Sequence, residues 1–135
     1  MPFSRKKTPL AGLFCLAAFV AGCGSVKPTG QVSGNVTYKG KSIESGEVTF
    51  HAKARGFAAN TNLEGGGKFT FLQPMEVGDY EVYVTPPRPE PTDPRKGPPP
   101  VVKSNIPQKA RDIATSGLTA TVKEGLNDIP VELKD

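Results

Sequence analysis

The sequence predicts an all-β fold, two packed sheets built from six or seven short strands, behind an N-terminal export signal. Three observations carry this. Apolar residues alternate with polar ones through most of the chain after Gln31. Glycine-rich turns separate the alternating runs. The first 22 residues have a different composition, with a basic start and then an uncharged apolar run.

Arg5, Lys6 and Lys7 form the basic start, and "LAGLFCLAAFV" runs from Leu10 to Val20 without a charge. These 11 residues are too few for a bilayer, which needs roughly 20. A basic region, a short apolar region and small residues after it have the anatomy of a secretory signal. A buried helix would be the structural alternative, but this one is apolar all round and has no face for water. "VAGC", Val20 to Cys23, then resembles the lipobox of bacterial lipoproteins. That resemblance implies cleavage between Gly22 and Cys23 and a diacylglycerol on the Cys23 thiol, often with acylation of the new amino group. Two or more chains make a stable anchor where one does not. An aspartate after the cysteine favours inner-membrane retention in Gram-negative lipoproteins. Gly24 stands there instead, which favours the outer membrane in that envelope type.

Removal of residues 1–22 leaves 113 of the 135, enough for one domain. The formal charge of +4 falls to about +1, because Arg5, Lys6 and Lys7 depart with the signal. No basic patch remains for nucleic acid. Cys15 leaves too and Cys23 takes the lipid, so the mature monomer has no cysteine pair for a disulfide or a metal. Residues 23–30, with "SVKPTG", read as a tether that holds the fold off the membrane.

The strands follow in order. Val32, Val36 and Tyr38 share a face, as do Val48, Phe50 and Ala52. "FAANTN", from Phe57, is a weak strand. Phe69 and Phe71 form the next face, then Tyr80, Val82 and Val84, with Glu81, Tyr83 and Thr85 on the reverse. Leu118, Ala120 and Val122 follow, and Ile129, Val131 and Leu133 come last. "KGKS", "EGGGK", "EVGD" and "KEGLND" supply turns in which glycine accepts positive φ. Strands apolar on one face bury it against a second sheet. Pro130 places the last run at an edge or a bulge. No segment after the signal shows a sustained helical period.

"VSGNVTYKGKSIESGEVTF", "GKFTF", "VGDYEVYV" and "IPQKARDIATSGLTATVKEGLNDIPVEL" together resemble the bacterial carboxypeptidase regulatory-like domain, and small envelope lipoproteins built from it. The resemblance spans residues 31–135 and implies a seven-stranded Greek-key β-sandwich of transthyretin-like (prealbumin-like) type. Its motifs are those of a scaffold and specify no activity. Ala110 departs from an aromatic that relatives often carry after "IPxK".

"TPPRPEPTDPRKGPPPVVKSNIP", Thr85 to Pro107, holds nine prolines. Neither a helix nor a central strand accommodates it, so residues 86–107 read as an extended, polyproline-like surface loop between the fifth and sixth strands. A loop of this length serves either as a docking segment or as solvated filler.

His51 is the only histidine and falls on an outward strand face. Catalysis needs a nucleophile and an orienting carboxylate beside it, and a metal needs further ligands. No catalytic, cofactor-binding or metal residue is assigned. Hydroxyisourate hydrolases share the implied fold but use several histidines, an arginine and a "YRGS"-like tail, whereas this chain ends "VELKD". Lys39 or Lys41 with Asn127 and Glu47 would suit an isopeptide of the collagen-adhesin kind, but both lysines sit in a turn. Tyr83 is the outward aromatic a sugar would stack on, and tryptophan is absent. The expectation is a non-catalytic envelope protein, held by lipid at Cys23, with a structural role or an envelope protein or polymer as partner. A small-ligand or carbohydrate-binding accessory module is the alternative. A concave pocket of clustered polar groups would favour the alternative, and a flat sheet face or open edge the first reading.

Overall fold

In the computed structural model, residues 24–91, 93–100 and 103–135 are described. The described residues form nine strands: β1 Thr29–Tyr38, β2 Lys41–Ser42, β3 Glu47–Ala52, β4 Phe57–Asn62, β5 Lys68–Thr70, β6 Met75–Glu76, β7 Gly78–Thr85, β8 Leu118–Val122 and β9 Gly125–Leu133. They form two sheets. In the first, β1 is central, with β9 parallel along one side and β2, β5 and β6 antiparallel along the other. The second has the order β4-β3-β7-β8 and is antiparallel throughout.

Nine strands replace the expected seven because β2 and β6 are two residues long. Two residues cannot display an alternation. Both exist because the long β1 leaves backbone groups on that side to be paired. Between β1 and β2, Lys39 and Gly40 have φ of 50° and 76°, as a type I′ hairpin requires.

Val32, Val36, Val48, Phe50, Phe69, Phe71, Tyr80, Val82, Val84 and Val122 are buried between the sheets, on the faces that the alternation assigns. Phe71 meets Phe50 edge-on at 5.2 Å, and Phe69 meets Phe71 in a T at 6.0 Å. Ile43, Leu63, Met75, Ile106 and Ala110 also enter the core, from segments without period. Ala110 is buried at 1% exposure, where a larger side chain would not fit without displacement.

The folded chain begins earlier than residue 31. Thr29 and Gly30 already belong to β1, and the Val77 N–H donates to the Pro28 carbonyl at 3.0 Å. The proline-rich segment is not uniformly extended either. Pro94–Lys96 forms a 3-10 turn, with the Asp93 carboxylate accepting from the Arg95 N–H. Beyond it, the chain dips into the core at Ile106 and winds through a 3-10 turn at Gln108–Arg111 into a one-turn helix, α1 Ile113–Ser116. Asp112 caps α1 by accepting from the Ala114 N–H, and Gly117 ends it in the left-handed region.

Candidate functional site

Strand register sorts the turns to two ends of the sandwich. At one end, Thr29 lies across from Glu76, Gly30 from Met75 and Gly125, Gly78 from Val122, and Ala52 from Phe57. The chain enters the fold here. At the other end, Tyr38 lies across from Lys41 and Leu133, and Glu47 from Asn62 and Thr85. The proline-rich segment leaves the sheet there, after Thr85. The ten residues of β1 separate the ends by about 30 Å.

The entering chain is fixed by a small polar cluster. Lys27 Nζ lies 3.3 Å from Glu76 Oε1, and Arg55 Nη1 donates to Glu76 Oε2 at 2.9 Å. Arg55 also donates to the Val77 carbonyl, and its guanidinium lies 5.1 Å from the centre of the Tyr80 ring. The Tyr80 hydroxyl donates to the Glu76 carbonyl at 2.7 Å. Burial pushes the Glu76 carboxyl up, but Lys27 and Arg55 together outweigh it and hold the group below the usual carboxylate range. Burial raises Tyr80 against the opposing pull of Arg55.

Beside this cluster the sandwich is open. The inner face of β4 and the β5–β6 segment part to leave a hollow of about 500 Å³, in which apolar Phe57, Ala59, Phe71, Leu72 and Met75 meet polar Asn60, Thr61, Gln73 and Glu76. Its lining is mainly apolar. The Thr61 hydroxyl donates to the Thr70 carbonyl and bridges the two sheets on this side.

At the far end, Asp135 accepts from the Tyr38 hydroxyl and lies 2.9 Å from Lys39 Nζ. The Tyr38 hydrogen bond and then Lys39 hold the Asp135 carboxyl down, and Asp135 in turn raises Lys39.

The outer face of the second sheet carries Glu47, Thr49 and His51 on β3, paired with Thr85, Tyr83 and Glu81 on β7. His51 faces outward but is half-buried rather than exposed. Its Nδ1 lies 3.7 Å from Glu81 Oε2, too far for a hydrogen bond, and has no other partner among the described residues. Its cross-strand neighbours are Ala58 and Glu81. Among the described residues, no cluster of three or more His, Cys, Asp or Glu could hold a metal.

Lys39 and Lys41 lie at the far end, while Asn127 pairs with Val32 near the entering end, so the isopeptide constellation is not assembled. The Asn127 side chain instead accepts from the Lys123 N–H at 2.9 Å and donates to the Lys123 carbonyl at 2.7 Å, closing the β8–β9 turn. Pro130 sits on β9, which among the described residues pairs only with β1 and is an edge strand. Gly22 and Cys23 lie outside the described residues. No described helix is long and apolar enough to cross a membrane. No protein-family model matches the chain, and no curated protein matches it. The class that fold and surface define is a two-layer β-sandwich with an open edge.

Proposed function

We propose that the protein is a lipid-anchored, non-catalytic β-sandwich of the bacterial cell envelope, with a structural role or an envelope protein or polymer as partner. Its finer fold in this reading is the seven-stranded Greek-key, transthyretin-like sandwich of carboxypeptidase regulatory-like domains. Seven of the nine strands have three or more residues, which supports that assignment.

The observation that carries the reading is the polarity of the fold. The chain that follows the lipobox-like "VAGC" enters at one end, and the proline-rich segment leaves at the other. A lipid on Cys23 would therefore turn that segment and the Lys39–Lys41 hairpin away from the bilayer. The edges of β4 and β9 and the outer sheet face that carries Tyr83 suit a protein or polymer surface. The sole histidine has Ala58 and Glu81 as its cross-strand neighbours, with no hydroxyl or thiol directly opposite it.

Cross-linking on intact cells, with wild type and Cys23→Ser compared, tests this. Wild type should fractionate with membranes and cross-link to an envelope component. Cys23→Ser should be soluble or remain an unprocessed precursor. Wild-type protein in the soluble fraction would refute the reading.

A further inference from the structure

Four large apolar side chains are exposed among the described residues: Val26, Phe57, Leu72 and Leu126, with Leu72 and Leu126 at 95% and 91% exposure. Single exposed apolar residues are ordinary. The placement of these is not. Val26 precedes Pro28, which is bonded to Val77. Phe57 opens β4 opposite Ala52. Leu72 follows Phe71, whose N–H donates to the Val32 carbonyl. Leu126 lies across from Gln31. All four surround the point where the chain enters the fold. The opposite end, with the Lys39–Lys41 hairpin and the described proline-rich residues, shows none of this kind among the described residues.

We propose that this end of the sandwich docks on the bilayer, with Phe57, Leu72 and Leu126 inserted in its interfacial layer. The proposal rests on the reading of Cys23 as the lipidated residue. The length of the tether argues for it. The Pro28 carbonyl is fixed to Val77 and the Lys27 ammonium to Glu76, so at most residues 24–27 span the gap. At 3.3–3.6 Å per residue the chain from Cys23 to Pro28 reaches at most about 18 Å. A lipidated Cys23 lies at the headgroup level, and apolar faces of surface-bound elements sink about 5–10 Å into that layer. A tether this short keeps the end loops within reach of the headgroups, so apolar side chains there can enter that layer. Leu72 and Leu126 lie on opposite sides of β1, so they would grip the surface on either side of the tether.

Charge does little at this end. Lys27, Lys53, Arg55 and Lys123 are nearly cancelled by Glu76, Asp79 and Glu124, and Lys27 and Arg55 are already engaged by Glu76. The docking is therefore apolar and insensitive to salt and to anionic lipid, unlike that of a polybasic segment.

The test uses the processed, lipidated protein reconstituted in phosphatidylethanolamine/phosphatidylglycerol vesicles. With Cys15 removed and Cys23 acylated, a cysteine at Leu72→Cys or Leu126→Cys is the single free thiol for an environment-sensitive fluorophore. Lys96→Cys places the same label at the far end. The expected result is a blue-shifted label at 72 and 126, quenched by bromolipid and protected severalfold from aqueous iodide, with the label at 96 open to iodide. Protection should persist at about 1 M salt, where the Debye length is about 3 Å. Equal iodide quenching at all three positions, or protection lost in salt, overturns the docking. Mass analysis of Cys23 in the same sample separates the two readings. A lipidated Cys23 with open labels sinks the docking alone, whereas a free Cys23 thiol on protein that does not float with vesicles sinks the anchor.

Discussion

Gly34 on β1 lies so close to Ile129 on β9 that a Cβ at position 34 would overlap the Ile129 carbonyl oxygen and crowd the Phe69 ring. The first and last strands are paired along their whole length, and this contact sits midway along the pairing. Gly34→Ala should therefore push β9 outward and cost about 1–3 kcal/mol, the usual range for overpacking. Chemical denaturation measures it. An unchanged midpoint would mean that the two strands can separate at no cost.

Phe71 is nearly buried and meets both Phe50 and Phe69. Phe71→Ala should cost roughly 3–5 kcal/mol. Leu126→Ser should change stability by less than about 0.5 kcal/mol, because Leu126 is a surface residue. Denaturation of the pair separates packing from surface. Equal costs would show that the alternation has been assigned to the wrong faces.

That alternation is also what made much of the fold legible. Val48, Phe50 and Ala52, or Tyr80, Val82 and Val84, announce both a strand and its buried face. The weak stretch "FAANTN" forms the full six-residue β4 because β3 supplies its hydrogen bonds, whatever its small side chains contribute. The core roles of Ile43, Leu63, Met75 and Ile106 were not legible, since each lies in a segment without period and enters the core through the path of its loop. The parallel pairing of β1 with β9 joins residues nearly a hundred positions apart, which no local pattern encodes. The gathering of Phe57, Leu72 and Leu126 at one end was hidden for the same reason, because it depends on which turns share an end.

The proline-rich segment packs little of its own surface. Arg88 to Pro91 and Asp93 to Pro100 are exposed. Replacing Arg88 to Pro99 by a short Gly/Ser linker should leave Tm within a few degrees, since 1 kcal/mol corresponds to about 4–8 °C in a domain near this size. A scanning thermal melt decides it. A larger drop would mean that the segment contributes to the core before Ile106.

Acid should loosen the entering chain. Glu76 is held below its ordinary value, so its contribution is complete above the ordinary carboxylate range and is lost as pH falls through the depressed folded value. Protection of the Val77 amide, which donates to Pro28, should fall over that acid window relative to Tyr80. Glu76→Gln should remove the acid dependence. A Val77 amide that responds identically to acid in wild type and Glu76→Gln would show that the Lys27–Glu76–Arg55 cluster does not secure the tether.

Mass spectrometry of the N-terminal peptide from native membranes tests the proposed lipid anchor at Cys23. The peptide should begin at Cys23 and carry a diacylglyceryl thioether. A free Cys23 thiol with residues 1–22 still attached would contradict it.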